Sequence, residues 1–311
     1  MRNLVPPRVA QALARSKRRN PLLLGGAALL GAAAWARRSR HADERRDRLG
    51  RDELRELSDM WTWVDDRCWY ARFSAERHEH EYPPVVLVHG FGISSSYFVP
   101  VAERLAVRFD VYAPDLLGHG HSDTPPEPLD VAGLADELRA WLRTMRIERA
   151  SVVGHSMGCQ IAVALAARHP DVVDRLVLIG PTMDRESRSV ARALPRFAAG
   201  SIHERPSMSL LVAKDYTRMN VRLLAELRAM FAHRIEESLP RVAAPLLIVR
   251  GEHDRIVPQR WVDELASLSP RSESHVVPGG GHAVHYSHPD AIEVMVRPFL
   301  ERSGARTAAG A

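Results

Sequence analysis

Blocks of hydrophobic residues and blocks of polar residues alternate along most of the chain. Short, mostly apolar runs recur at residues 85–88, 111–113, 150–153, 176–179 and 246–249. A run of this length and composition is typical of a strand buried on both faces of a sheet, which is the usual position of a strand in a parallel sheet. We therefore predict that these segments form the centre of a mostly parallel sheet.

Longer stretches with helical composition lie between these runs, at residues 99–108, 131–145, 158–169 and 258–268. Strands that alternate with helices predict an α/β fold, with the sheet flanked by helices. Two short aromatic segments, 61–64 and 68–71, are separated by three polar residues and predict a β-hairpin ahead of the first buried strand.

Residues 182–243 interrupt the alternation, since they are helical in composition and rich in arginine. We expect them to form a helical cap over the edge of the sheet and to carry the substrate-binding surface, although no single binding residue is assigned there. The apolar residues that suit an acyl chain are Met208, Leu210, Leu211, Met219, Met230 and Phe231. The predicted organisation is a tail and linker at 1–58, a core at 59–181 and 244–302, the cap at 182–243, and a disordered C-terminus at 303–311.

Charge is distributed unevenly along the chain. The formal net charge is +5, but residues 1–51 hold 13 of the 43 Lys and Arg residues and only 3 of the 38 Asp and Glu residues. The remaining chain is therefore acidic, whereas a nucleic-acid-binding domain concentrates positive charge on its folded surface. We expect no nucleic-acid partner.

The N-terminal segment 20–36 is uncharged and mostly apolar, and arginines flank it on both sides. Seventeen residues of helix reach about 25 Å, slightly less than the hydrocarbon core of a bilayer. One interpretation is a signal-anchor or an interfacial helix that associates the protein with a membrane, on a face that is left open. The alternatives are a cleaved signal peptide ending near Ala36, which would export the protein, and a flexible tail on a cytoplasmic protein.

Metal and disulfide chemistry receive little support from the sequence. Cys68 and Cys159 have neither the number nor the spacing of a disulfide framework or a zinc site. The histidines at 282, 285 and 288 and the segment 78–81 could hold a metal, but the first group follows three glycines in a loop and the second is typical of a solvated turn. We expect no metal and no cofactor.

The strongest candidate for chemistry is Ser156. It is the middle residue of Gly154-His155-Ser156-Met157-Gly158, which follows a predicted strand and precedes a predicted helix. A strand, G-x-S-x-G and a helix form a nucleophile elbow, the sharp turn that exposes a reactive serine. The alternative is a glycine-rich packing turn without a catalytic role.

At this point the chain resembles the α/β-hydrolase superfamily over residues 61–300, with motifs in the expected order. The matching segments are His89-Gly90-Phe91-Gly92, residues 113–123, the elbow at 154–158, residues 251–258, and Gly281-His282 with Pro289 downstream. The resemblance implies a serine esterase or lipase with a helical cap.

The resemblance also implies the roles of the site residues. Ser156 is expected to be the nucleophile, Asp254 the acid and His282 the base, with backbone N–H groups of Phe91 and Met157 forming the oxyanion hole. Other interpretations apply to nearby residues: an N-cap for Asp254, Asp184 as a reserve acid, His285 and His288 as packing or solvent-facing residues, and Asp115, His119 and Ser122 as scaffold.

The function expected from these residues is cleavage of carboxylic esters through an acyl-enzyme, with a small ester or acyl substrate. Serine at 156 excludes relatives that need aspartate there, such as haloalkane dehalogenases and epoxide hydrolases. The alternative enzyme is a carbon–carbon bond hydrolase, although those often carry asparagine where this chain has His155. A different class is a non-catalytic binding protein that retains the fold.

Overall fold

The computed structural model describes residues 54–75, 78, 81–200, 204–216 and 223–302. Within these ranges the strands form one eight-stranded sheet. The strands are β1 Leu57–Val64, β2 Arg67–Ser74, β3 Val85–Val88, β4 Val111–Pro114, β5 Ala150–His155, β6 Val173–Ile179, β7 Leu246–Gly251 and β8 Ser272–Val277.

The strand order is β1-β2-β4-β3-β5-β6-β7-β8. β1 pairs with β2, and β2 with β4, in antiparallel fashion, whereas all other neighbours are parallel. The predicted fold class and the predicted hairpin are thus confirmed. The first strand begins at Leu57, two residues before the predicted start of the core.

Helices follow most of the strands. In chain order they are α1 Val99–Leu105, α2 Val131–Thr144, α3 Met157–Arg168, α4 Val190–Gly200, α5 Pro206–Tyr216, α6 Leu223–Ala232, α7 Ile235–Ser238, α8 Gln259–Ser267, α9 Val284–Ser287 and α10 Pro289–Glu301. The four predicted helices correspond to α1, α2, α3 and α8, with ends that differ by at most three residues.

The sheet separates two hydrophobic clusters, and β3 shows how. Its four residues are all fully buried; Val86 and Val88 belong to the larger cluster, and Val85 and Leu87 to the other. Because successive side chains of a strand point to opposite faces, an all-apolar strand requires packing on both sides. This arrangement fixes the central strands and directs their carboxyl ends to one edge of the sheet, where the loops that carry the site begin.

The segment between β6 and β7 contains α4, α5, α6 and α7, in agreement with its helical composition. We call residues 182–243 the insertion. Of the apolar residues singled out there, Met230 is fully buried and Met208 is nearly so, whereas Leu210 exposes 69% of its surface. Met219 lies outside the described residues.

The tail and the C-terminus also lie largely outside the described residues, and with them the predicted membrane segment at 20–36 and the predicted disorder at 303–311. In the ranges that the structure covers, no helix combines the length and the apolar composition that crossing a bilayer requires.

Candidate active site

Ser156 lies at the turn between β5 and α3. Its φ of 55° and ψ of −120° place a non-glycine residue in a sparsely populated backbone region. Two close approaches enforce this turn: a Cβ at Gly154 would lie 2.5 Å from the carbonyl oxygen of Gly158, and a Cβ at Gly158 would lie 2.1 Å from that of Val88. The glycines therefore serve packing, and the packing holds the serine in the strained geometry of a nucleophile elbow.

His282 and Asp254 come together beside this turn. Nδ1 of His282 lies 2.8 Å from Oδ2 of Asp254, and both side chains are buried. A Cβ at Gly180, after β6, would lie 3.1 Å from the imidazole and 3.3 Å from Asp254 Oδ2, so glycine leaves room for the pair. Among the described residues, Nε2 of His282 has no hydrogen-bond partner, which leaves this nitrogen available for a proton.

The two interpretations of Asp254 apply to different oxygens. Oδ1 accepts hydrogen bonds from the backbone N–H groups of Ile256 and Val257, at 2.9 and 3.0 Å, as an N-cap-like side chain does. Oδ2 is directed to His282. One carboxylate thus fixes its own loop and orients the imidazole, and the loop bonds determine which oxygen faces the ring.

A second carboxylate, Glu204 of the insertion, lies near the histidine. Its Oε1 accepts the backbone N–H of Ala283 at 2.9 Å. Burial opposes the charged form of His282, but the charge and hydrogen bond of Asp254, together with the charge of Glu204, raise the pKa of His282 above its ordinary value of 6.5. Burial raises the pKa of Glu204 itself, against the Ala283 N–H and the His282 charge, which lower it.

Asp184, the reserve acid, occupies a different environment. It is buried and accepts two hydrogen bonds from Arg260, both at 2.9 Å, and one from Arg196 at 2.8 Å. Burial raises the pKa of Asp184, but the hydrogen bonds from the two arginines outweigh it and the net change is downward. Its charged partners are therefore arginines of the insertion and of α8. A triad acid needs a histidine partner, and among the described residues Asp184 has none.

The two expected oxyanion donors come from different loops. Met157 is the first residue of α3, next to Ser156, and its N–H belongs to the helix N-terminus. Phe91 follows Gly90, whose carbonyl oxygen accepts Nδ1–H of His89 at 2.9 Å. In a planar trans peptide the C=O and N–H groups point in opposite directions. The hydrogen bond from His89 to the Gly90 carbonyl therefore directs the N–H of Phe91 away from His89.

The residues expected to be scaffold hold the loop after β4 together. Asp115 is fully buried and accepts the N–H groups of Ser95 at 2.7 Å and His121 at 2.9 Å. Burial raises the pKa of Asp115, but the hydrogen bonds from His121 and Ser95 and the His89 charge bring it to about 2. Ser122 donates its hydroxyl to the Asp115 carbonyl at 2.6 Å, and His119 Nε2 lies 3.1 Å from Glu226 of α6.

The three histidines that could serve as the base differ in their surroundings. His285 is fully buried against Tyr97 and Phe98, and His288 is partly buried at the start of α10, so both differ from His282, which pairs with a carboxylate. Of the segment 78–81, Glu79 and His80 lie outside the described residues. In the described part of the chain, no group of three or more His, Cys, Asp or Glu side chains is arranged to hold a metal.

Several residues around the site carry no signal in the sequence and were not predicted. Glu204 and Tyr97 contact the loops of the site through partners distant in sequence, and Gln160 donates from α3 to the carbonyl of Met230 in the insertion at 2.9 Å. No local spacing distinguishes such residues from ordinary core or surface positions. Cys159 packs within the core, since it is fully buried and its Sγ lies 3.2 Å from the Gly154 carbonyl.

Comparison with known proteins agrees with the geometry. A family model described as the alpha/beta hydrolase family matches residues 85–293, about two thirds of the chain. A putative carbamate hydrolase, RutD of Caulobacter sp. (strain K31), is 29% identical over 247 residues, which cover 71% of this chain and 91% of that protein. Esterase YbfF of Escherichia coli (strain K12) is 27% identical over 255 residues, covering 74% and 97%. The solved structure of a membrane phospholipase A shares the fold, with a TM-score of 0.69, 23% identity, and coverage of 97% of this chain and 100% of that one.

Proposed function

The chain belongs to the alpha/beta hydrolase family, and from this premise we propose that it is a serine hydrolase that cleaves carboxylic esters through an acyl-enzyme. The observation that carries the proposal is the pairing of His282 with Asp254 beside the strained turn of Ser156. A serine hydroxyl is a weak nucleophile until a base takes its proton, and an imidazole held by a carboxylate is suited to that task.

In this mechanism Ser156 attacks the ester carbonyl while His282 accepts its proton at Nε2. Asp254 stabilises the imidazolium that forms, and the N–H groups of Phe91 and Met157 bind the negatively charged oxygen of the tetrahedral intermediate. His282 then donates the proton to the leaving alcohol, which departs and leaves an acyl-Ser156. A water molecule, activated by the same imidazole, hydrolyses the acyl-enzyme and returns Ser156 to its free form.

The insertion is proposed to act as a cap that shapes the substrate site. Its contacts with the core support this, because they reach the loops that carry the machinery. Glu204 binds the His282 loop, Asp215 accepts the N–H of Ser94 at 2.9 Å in the loop after β3, and Glu226 contacts His119 after β4. We infer that a segment held at these points covers Ser156 and contacts the acyl chain of the substrate.

The carbon–carbon bond hydrolase remains the competing activity, since the fold accommodates both reactions. The decisive experiment is a panel of esters and vinylogous diketones, tested on purified wild-type protein and on Ser156→Ala. We expect ester turnover by the wild type, and a loss of at least about a thousandfold in the variant with an unchanged melting temperature. Diketone cleavage without ester turnover would favour the alternative, and a Ser156→Ala variant with more than about a tenth of wild-type activity would remove Ser156 from the mechanism. A protein inert in both assays, and unreactive to a fluorophosphonate probe, would be a binding protein.

Membrane association through residues 20–36 is a further part of the proposal. It rests on the sequence alone, on an uncharged apolar segment between arginines that can reach the headgroup region.

A further inference from the structure

Three aromatic side chains lie behind the nucleophile, and two of them connect the loops of the site. Tyr97 and His155 are both buried, and the hydroxyl of Tyr97 lies 2.8 Å from Nδ1 of His155. The backbone N–H of Gly90 donates to the same hydroxyl at 2.7 Å. On the other side of the ring, Nε2 of His155 lies 3.1 Å from the backbone carbonyl oxygen of His282.

The donor and the acceptor of every hydrogen bond in this series can be assigned from the groups at the two ends of the series. The carbonyl of His282 only accepts, so Nε2 of His155 carries the proton. Burial, then the neighbouring His285 and His282, lower the pKa of His155 well below 6.5, so its ring is neutral and Nδ1 accepts. Tyr97 therefore donates to His155, and its oxygen accepts from Gly90. Each donor has one acceptor and no proton position is left ambiguous.

We propose that Tyr97 and His155 are positioning residues, which form a buried hydrogen-bond relay that holds the oxyanion loop and the catalytic histidine in register with each other. The proposal rests on the proposed ester hydrolysis, because it assigns a task in that mechanism. The relay begins at Gly90, one residue before the expected oxyanion donor Phe91, and ends on the main chain of His282.

Two further contacts make this link consequential. A Cβ at Gly90 would lie 3.0 Å from Cβ of Ser156, so the oxyanion loop is packed directly against the nucleophile. The ring of His285 packs on both relay residues, at 4.3 Å from His155 and 4.4 Å from Tyr97 between ring centroids. The relay is therefore enclosed by aromatic side chains, where a hydrogen bond is stronger than in water.

Such a relay matters because the residues of the proposed site come from different loops. Phe91, Ser156 and His282 belong to loops that follow β3, β5 and β8, and loops are the least rigid parts of a fold. An oxyanion donor acts only where the charge develops, and a misplacement of about 1 Å is enough to lower the rate by as much as a hundredfold. The relay connects the loop after β3 with the loop after β8, directly behind the nucleophile.

Replacement of Tyr97 by Phe tests the relay, because it removes the hydroxyl and keeps the ring. We expect kcat for an ester to fall about tenfold while KM stays within about twofold, since oxyanion donors act in the transition state. His155→Gln removes the same bond from the other side, as a glutamine amide can replace Nε2–H but not Nδ1. The kcat of the double variant should lie within about twofold of that of the slower single variant, because both changes remove the Tyr97–His155 bond.

Tyr70→Phe is the matched control. Tyr70 is equally buried, and its hydroxyl donates to Asp59 at 2.6 Å within the outer hairpin. This variant should lose stability and keep kcat. If Tyr97→Phe and His155→Gln lower only the melting temperature and retain kcat within about twofold, the relay is structural and the proposal is overturned. If Tyr97→Phe does not fold, the kcat of His155→Gln decides between the two outcomes alone. Ser156→Ala in the same series keeps the two proposals apart, because its activity, and not that of the relay variants, decides the ester mechanism.

Discussion

Asparagine at position 254 removes the charge of the proposed acid and, because of the surrounding bonds, also reverses its hydrogen bond. Oδ1 of Asp254 accepts two backbone N–H groups, from Ile256 and Val257, and Oδ2 faces Nδ1 of His282 at 2.8 Å. Backbone N–H groups only donate, so the amide oxygen of asparagine must take the place of Oδ1. The amide NH₂ then faces His282 and donates to Nδ1.

The consequence is the wrong tautomer of the base. An imidazole that accepts at Nδ1 carries its proton on Nε2, and Nε2 can then no longer take the proton of Ser156. We expect kcat to fall by about 10³- to 10⁴-fold in Asp254→Asn. That loss corresponds to about 4–5.5 kcal/mol of transition-state stabilisation. Both bonds to the loop survive in the variant, so its melting temperature should stay close to that of the wild type.

Asp184→Asn is the control for this substitution, because Asp184 is also a buried carboxylate that follows a strand of the sheet. Its partners are Arg260 and Arg196, so the neutral amide should weaken an ion-pair network and lower the melting temperature. We expect its kcat to stay within about threefold of wild type. The measurement is steady-state turnover of a p-nitrophenyl ester, with unfolding followed by circular dichroism. A larger loss in Asp184→Asn than in Asp254→Asn would refute the reasoning and move the acid to Asp184.

Two further predictions concern pH and location. The proposed base His282 can accept a proton only when it is neutral, and its pKa is raised, so kcat/KM should fall as the pH drops through a midpoint above about 6.5. Glu204→Gln removes a charge that favours the imidazolium and should move this midpoint to lower pH, whereas an unchanged or higher midpoint would show that Glu204 does not affect the pKa of His282. Deletion of residues 1–40 should yield a soluble and active enzyme, because the first strand of the sheet begins at Leu57, while full-length protein should sediment with membranes. Recovery of the full-length protein entirely in the supernatant would contradict the anchor.

The sequence predicted the central strands because their burial is visible in their composition. β8 was missed for the opposite reason. It reads Ser-Glu-Ser-His-Val-Val, lies at the edge of the sheet, and leaves residues 273–276 exposed, so its side chains show neither an apolar run nor an alternation. Only the pairing with β7 makes it a strand, and such pairing depends on tertiary contacts that no local window contains.

The same distinction applies to the site. Ser156 was predicted because its turn requires glycines at fixed positions, and these are local features of the chain. Tyr97, 58 residues from its partner His155, and Glu204, 79 residues from Ala283, have no such local signature. Their roles depend on which loops the topology brings to the carboxyl edge of the sheet. They also depend on whether each neighbouring group donates or accepts a hydrogen bond.

The contacts between insertion and core share a chemical character. Glu204, Asp215 and Glu226 are acidic residues of the insertion, and each meets a donor or an imidazole of the core: Ala283 N–H, Ser94, and His119. Hydrogen bonds to a charged acceptor are stronger and more directional than apolar contacts, which tolerate sliding. Two of these contacts are hydrogen bonds, at Ala283 and Ser94, and they fix the position of the insertion relative to these loops more closely than burial of its apolar side chains could. They end on the loops after β3 and β8, the loops that the Tyr97–His155 relay also connects, so the surface proposed to bind substrate and the groups proposed to cleave it are tied to the same two loops.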